Sequence, residues 1–206
     1  MNKILTLCAV LVLAACAAAP TSQPTGLTFF HLNDTYRLGA VEDNTRGGFS
    51  RVLTLVREAQ ADGRDVHILH GGDFLYPSLE SQLWDGMQMV DAMNFLHAVA
   101  PLYVTAGNHE FDPRSPENLI AALEASDFVW LGDNFSFNTG DAAADAMLQS
   151  GFTFAAAGKT VGVFSVTLHG DDGGNSRSYL DIEPDYFAVA EKAIAALDAR
   201  GVDLII

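Results

Sequence analysis

From residue 27 onward, short apolar runs alternate with stretches in which apolar residues recur at helical spacing. The runs that predict strands are 27–32, 66–69, 102–105, 128–131, 152–154, 160–166 and 202–206. The stretches that predict helices begin at Phe49, Trp84, Ser115 and Pro184. Strands that alternate with helices predict a layered α/β sandwich with a largely parallel central sheet.

Turn-forming residues place some of the boundaries. Ser115 predicts a helix cap followed by Pro116 at the first helical position. The pair Gly158-Lys159 lies between two strand-like runs and indicates a strand pair. On the helix predicted over 84–99, Met89, Met93 and Leu96 are expected on the buried side.

Composition narrows the functional classes. The chain has 206 residues, 49% of them hydrophobic, which is enough to bury one substantial core. It carries 26 acidic and 11 basic residues, for a net charge of −15. Because no basic stripe is present to neutralise phosphates, a nucleic-acid polymer is not an expected partner.

The N-terminus has the pattern of a targeting segment. Lys3 precedes a short apolar run at 4–12, which is too short to span a bilayer as a mature helix. The sequence Leu13-Ala14-Ala15-Cys16 that follows closely resembles a bacterial lipoprotein signal, in which the cysteine becomes the lipidated first residue. An ordinary signal peptide with an incidental cysteine is the alternative. We therefore expect a leader over 1–16, a tether over 17–26 and one domain over 27–206, anchored to a membrane outside the cytoplasm by lipid on Cys16.

Cysteine usage agrees with this division. The chain has 2 cysteines, Cys8 within the leader and Cys16 at its end. The domain therefore contains neither a disulfide nor a thiolate metal site, and any metal must be bound by oxygen and nitrogen ligands.

Polar residues follow three of the predicted strands directly. They are Asn33-Asp34, Gly72-Asp73 and Gly107-Asn108-His109. Because ligands bind at the carboxyl ends of strands in open parallel sheets, we expect these groups to line one edge. Carboxylate and amide oxygens beside an imidazole suit one or two divalent ions of Mn, Mg, Zn or Fe.

The third group is the richest in chemistry. Asn108 offers a neutral oxygen to a hard cation, His109 a proton donor, and Asp112 a carboxylate that can orient the imidazole. Gly107 permits a sharp backbone turn. A loop built for packing alone has little use for these groups, so the sequence predicts a reactive site.

Together these segments resemble the calcineurin-like metallophosphoesterases, in particular their 5′-nucleotidase branch. The resemblance rests on Phe30-His31-Leu32-Asn33-Asp34-Thr35, Leu69-His70-Gly71-Gly72-Asp73-Phe74 and Gly107-Asn108-His109-Glu110-Phe111-Asp112. It implies that Asp34 binds a first metal, Asp73 bridges two metals and Asn108 binds the second. It also implies that His109, oriented by Asp112, assists hydrolysis of a small phosphorylated substrate of the nucleotide type. Two metals can clamp a phosphoryl group and activate a water.

Two departures from that pattern matter. Where the resemblance implies a histidine two residues after Asp34, this chain has Tyr36. A phenol has a pKa near about 10 and is a poor substitute, although a metal can depress a ligand's pKa. The first metal is therefore weak, absent or held by a tyrosinate.

The second departure concerns the C-terminus. The further histidine ligands that the resemblance implies would come after Ile206, and residues 202–206 have the pattern of an interior strand. We expect a catalytic domain with its C-terminal part missing. The competing hypothesis, favoured by Tyr36 and these missing ligands, is a surface lipoprotein that uses the scaffold for binding without turnover.

Overall fold

The computed structural model describes residues 24, 26–169 and 177–206. Its strands are Gly26–Leu32 (β1), Ala40–Val41 (β2), Arg46–Gly47 (β3), Arg64–His70 (β4), Leu102–Thr105 (β5), Val129–Leu131 (β6), Phe135–Phe137 (β7), Leu148–Gln149 (β8), Phe152–Ala156 (β9), Lys159–Val163 (β10), Leu180–Ile182 (β11) and Leu204–Ile205 (β12). Its helices are Phe49–Ala61 (α1), Leu79–Trp84 (α2), Met87–His97 (α3), Glu117–Ala125 (α4), Ala142–Asp145 (α5) and Tyr186–Ala199 (α6), and His109–Phe111 forms a 3₁₀ turn.

A five-stranded sheet in the order β1-β4-β5-β6-β8 forms the centre of the fold, and every neighbouring pair in it is parallel. Helices α1 to α5 lie in the connections between these strands, which lets each strand run in the same direction. The predicted α/β architecture with a parallel central sheet is confirmed. The parallel arrangement brings the carboxyl ends of β1, β4 and β5 to one edge.

The two faces of the central sheet are covered differently. On one face, buried residues of α3 such as Met89 and Met93 join the main core, as their spacing predicts. On the other face lies a three-stranded sheet in the order β12-β10-β9. Phe154 of this sheet stacks on Tyr103 at 4.4 Å and on His67 at 4.7 Å between ring centroids. Strands β9 and β10 pair antiparallel, as predicted for the segments around Gly158.

The structure corrects two predicted helix starts. The helix predicted from Trp84 begins at Met87 instead, because Asp85 and Gly86 have φ of 53° and 81°, and Trp84 is the last residue of a separate helix, α2, that was not predicted. Ser115 is not the cap of α4; Pro116 precedes its first residue and no side chain caps it. The last helix likewise begins after Pro184, with Asp185 accepting from the Ala188 N–H at 3.0 Å.

Within the described residues, no helix is both long and apolar enough to cross a membrane. The predicted leader and Cys16 lie outside the described residues. The terminal apolar run forms β12, which pairs parallel with β10 through Val161↔Leu204.

Candidate metal centre and proton donor

The three polar groups meet at the carboxyl edge of the central sheet. The loop after β1 is joined to the loop after β4 by two backbone hydrogen bonds, from Gly71 N to Leu32 O at 2.8 Å and from Asp34 N to Gly72 O at 3.1 Å. The loop after β5 is joined to the second loop through Asp73, whose Oδ1 accepts from His109 N at 2.8 Å. The expected convergence of these loops is therefore present.

Two glycines allow the second and third loops to approach this closely. A Cβ on Gly72, which has φ of +90°, would lie 1.9 Å from Gly107 N. A Cβ on Gly107 would lie 2.3 Å from Asp73 Oδ1. No side chain fits at either position, so both glycines are required for Asp73 to reach His109.

Glu110 joins the loop after β4 to the loop after β5 through hydrogen bonds. Its buried carboxylate, 1% exposed, accepts four backbone N–H groups: Asp73 at 2.7 Å, Phe74 at 2.7 Å, Leu75 at 3.0 Å and Gly107 at 2.7 Å. Sequence reasoning gave Glu110 no role. Its position in an otherwise reactive motif was the available signal, but its inward orientation depends on the 3₁₀ turn at 109–111.

Asp73 is held with one oxygen free. While Oδ1 accepts from His109, Oδ2 has no hydrogen-bond donor among the described residues. Burial raises the pKa of Asp73, and the hydrogen bond from His109 offsets this only in part. A nearby cation would favour its charged form.

Asp34 and Tyr36 form a pair at the open side of the site. The Tyr36 hydroxyl donates to Asp34 Oδ1 at 2.6 Å, and the Asn33 amide donates to Oδ2. The Tyr36 bond and then the Asn33 bond lower the pKa of Asp34. Burial, followed by the bond to Asp34, raises the pKa of Tyr36, so its phenol keeps its proton in this arrangement.

His109 and Asp112 make the expected imidazole–carboxylate pair. Nδ1 of His109 lies 2.9 Å from Asp112 Oδ2, and the two side chains are 34% and 42% exposed. Burial alone would lower the pKa of His109, but the hydrogen bond and charge of Asp112, together with the charges of Asp73 and Glu110, more than offset it, so this pKa is raised. The Tyr36 ring meets the imidazole edge-on at 5.8 Å. Because Asp112 engages Nδ1, Nε2 is the ring nitrogen of His109 that is available to a substrate.

His70 has a structural place beside the site. Its Nδ1 accepts from Gly72 N at 3.0 Å, so the proton of the neutral ring is on Nε2, which lies 2.8 Å from Thr35 Oγ1. Burial, together with the charge of His31, lowers the pKa of His70 to about 3. A neutral His70 therefore links the first two loops without facing a ligand.

The donor chemistry of these residues fits hard divalent cations. Asp34 and Asp73 supply carboxylate oxygens, and Asn108 follows Gly107 in the same loop as His109 and supplies an amide oxygen. Within the part of the chain that the structure describes, no group of three or more His, Cys, Asp and Glu side chains could hold a metal ion. The three loops together bring two carboxylates, one amide and one imidazole to this edge of the sheet.

The sequence model of the calcineurin-like phosphoesterase family matches residues 27–203, and the chain belongs to this family. The resemblance inferred from the three motifs is thereby confirmed.

Curated relatives lie in the 5′-nucleotidase branch. Over 114 residues the chain is 30% identical to the 5′-nucleotidase of Rattus norvegicus, a match that covers 50% of this chain and 19% of the relative. Over 97 residues it is 31% identical to a probable 5′-nucleotidase of Treponema pallidum, covering 42% and 16% of the two chains. These matches thus cover less than a fifth of the length of each relative.

Solved structures share the fold. A 5′-nucleotidase precursor from Thermus thermophilus superposes with a TM-score of 0.72 at 23% identity, over 87% of this chain and 36% of that one. The NAD nucleotidase of Haemophilus influenzae has the same TM-score of 0.72 and identity of 23%, over 86% and 33% of the two chains. The described chain corresponds in extent to about a third of each.

Proposed function

We propose that the protein is a metal-dependent phosphoesterase that hydrolyses phosphomonoesters of the nucleotide type. The observation that carries this proposal is the His109–Asp112 pair at 2.9 Å, attached through His109 N to the carboxylate of Asp73. It supports a role for His109 as a proton donor beside oxygens that suit a cation. The 5′-nucleotidase relatives support the nucleotide as substrate.

Asp34, Asp73 and Asn108 would hold the divalent ions, one or two of Mn, Zn, Mg or Fe. When bound, such ions polarise a phosphoryl group and lower the pKa of a bound water. In this proposal Tyr36 donates a hydrogen bond to Asp34 and is not one of the metal ligands.

The chain's own contribution to bond cleavage is protonation of the leaving oxygen. Asp112 holds the proton on Nδ1 of His109 and raises the pKa of the ring, which favours the doubly protonated imidazolium near neutral pH. As the phosphorus–oxygen bond breaks, the proton on Nε2 passes to the departing alkoxide and the ring becomes neutral. A solvent proton then restores the imidazolium.

A phosphate-release assay on the full-length protein with Mn²⁺ and a nucleoside 5′-monophosphate tests this function. We expect His109→Asn to lower kcat by about 10²-fold or more, since general acid catalysis contributes about 10²–10⁴-fold. His169→Asn, at an exposed histidine after β10, is the matched control and should leave kcat unchanged. Equal rates in His109→Asn and the parent protein would contradict the assignment and favour the binding-scaffold alternative.

We also propose that the protein acts outside the cytoplasm, attached to a membrane by lipid on Cys16. The leader pattern at 1–16 supports this, since the cysteine follows a short apolar run and two alanines. Cys16→Ser should move the protein from the membrane fraction to the soluble extracytoplasmic fraction. Unchanged membrane fractionation of that variant would contradict the lipid anchor.

A further inference from the structure

The turn that follows the His109–Asp112 segment is held by residues far away in the sequence. The Tyr179 hydroxyl donates a hydrogen bond to Pro113 O at 2.9 Å. Arg177 donates from Nε to the same carbonyl at 3.2 Å and from Nη2 to Asp112 O at 3.3 Å. Tyr179 is 3% exposed, so its hydroxyl bond is shielded from competing water.

The two-stranded sheet of β7 and β11 supports the His109–Asp112 segment from a second side. Strand β11 pairs antiparallel with β7, and Asn138 N donates to Tyr179 O at 2.8 Å. Phe111 packs edge-on against Phe135 at 6.0 Å and Phe137 at 6.3 Å, both in β7. The segment from His109 to Pro113 is therefore held by the β7–β11 sheet and the residues just before β11, through one buried ring and two carbonyls.

This support matters because the pair itself is weakly confined. The Asp112 side chain is 42% exposed, and among the described residues its carboxylate has His109 as its hydrogen-bond partner. If the Asp112–Pro113 backbone shifted, the carboxylate would leave Nδ1 of His109. A displacement of about 1 Å in a catalytic group can lower a rate about 10²-fold.

We propose that Tyr179 is a positioning residue that holds Asp112 against His109 through the Pro113 carbonyl. Arg177 shares this role from the same end of β11. The inference rests on the proposed function, because it concerns the group that protonates the leaving oxygen.

Leaving-group dependence separates positioning from general stabilisation. An alkoxide leaving from a nucleoside 5′-monophosphate needs a proton, whereas p-nitrophenolate leaves from p-nitrophenyl phosphate as a stable anion. Misplacement of the proton donor therefore slows the first substrate selectively. Loss of folded protein would slow both substrates equally.

The experiment compares Tyr179→Phe with the parent protein, both full length and loaded with Mn²⁺. We expect kcat for the nucleoside monophosphate to fall about tenfold with KM unchanged, a loss of the size found when a residue that orients a functional group is replaced. The rate of p-nitrophenyl phosphate hydrolysis should stay constant. The matched control is Tyr103→Phe, which removes another buried tyrosine hydroxyl, 3.3 Å from His67 Nδ1 in the sheet core. It should leave the ratio of the two rates unchanged.

A second measurement does not depend on turnover. In the metal-free protein, at a pH above the pKa of His109, ¹⁵N NMR of the ring should show the proton on Nδ1. In Tyr179→Phe we expect a mixture of Nδ1 and Nε2 tautomers, because Asp112 no longer stays in place. An unchanged tautomer in Tyr179→Phe would overturn the positioning role.

The two measurements distinguish failure of the inference from failure of the proposed function. If the parent protein hydrolyses neither substrate, the proposed function is wrong, and the tautomer still decides whether Tyr179 positions Asp112. If the parent is active and Tyr179→Phe slows both substrates to the same extent, the positioning inference is wrong and the function stands.

Discussion

Tyr36 lies beside Asp34, the residue proposed to bind the first cation. The phenol donates a hydrogen bond to Asp34 Oδ1 and its ring lies edge-on to His109, so Tyr36 connects the first and third loops. Its raised pKa disfavours the tyrosinate that metal binding would require. We therefore expect Tyr36 to act as a hydrogen-bond donor and not as a ligand.

Substitution of Tyr36 tests that expectation. Tyr36→His places a neutral imidazole, a better ligand near neutral pH, beside Asp34, and should tighten Mn²⁺ binding about tenfold. Tyr36→Phe keeps the ring against His109 and should change Mn²⁺ affinity much less. Free Mn²⁺ measured by electron paramagnetic resonance gives both affinities. A severe loss of affinity in Tyr36→Phe would identify Tyr36 as a ligand after all.

The Asp112 carboxylate sets the pH range of the proton donor. Because the pKa of His109 is raised by Asp112, the acid form persists to higher pH, and kcat should fall as the pH rises through that pKa. Asp112→Asn removes the charge, lowers this pKa and should move the alkaline fall in kcat to lower pH. A pH–rate profile of the nucleotidase reaction measures the shift. An alkaline limb at the same pH in both proteins would contradict His109 as the acid.

At the scale of elements, the site depends on two loops being held at one distance. Glu110 accepts N–H groups from the loop after β4 and from the loop after β5, while Gly72 and Gly107 let the backbones touch. Burial raises the pKa of Glu110, and the backbone hydrogen bonds from Leu75, Phe74 and Asp73 oppose this in favour of the charged form. The clamp is therefore a buried carboxylate whose loss of hydration is compensated by hydrogen bonds from backbone N–H groups.

Glu110→Gln should weaken this clamp selectively. The amide nitrogen cannot accept the N–H groups that one carboxylate oxygen accepts, so two buried donors lose their partner. We expect a loss of about 3 kcal/mol in the free energy of unfolding, measured by urea denaturation. Glu117→Gln, at an exposed glutamate in the first turn of α4, is the control and should leave the free energy of unfolding close to that of the parent protein. Equal stabilities for the two variants would contradict the clamp.

For the whole molecule, the stability depends on pH through His70, the buried histidine that joins the first two loops at the sheet edge. The pKa of His70 is about 3 in the fold and about 6.5 in the unfolded chain. Between these values the unfolded chain binds more protons, so stability falls as the pH falls. The contribution of this one residue is about 1.4 kcal/mol per pH unit below about pH 6.5.

His70→Gln should reduce that dependence. Glutamine can accept from Gly72 N and donate to Thr35, and it does not titrate in this range. Urea denaturation at pH 7, 6 and 5 should give a shallower loss of stability for the variant than for the parent protein. Parallel pH dependences would show that His70 does not carry the effect.

The sequence by itself determined the parallel α/β architecture and the order of the three polar loops. Apolar runs that alternate with helical spacing are local patterns, and residues that follow a strand directly stay at its carboxyl end wherever the strand lies. For the same reason the segments of β1, β4 and β5 could be predicted, and the motifs that end them carried the family resemblance. A break at Asp85 and Gly86 was missed because it depends on two left-handed backbone conformations within an otherwise helical pattern.

Only the tertiary structure decided which polar groups face the site and which hold it in place. Glu110 and His109 are neighbours in sequence, yet one carboxylate turns inward to four N–H groups and one imidazole turns outward to Asp112. Tyr179 reaches Pro113 from 66 positions away. Such contacts depend on the packing of β7 and β11 beneath the turn, and short strands of three residues leave little periodic pattern in the sequence from which that packing could be predicted.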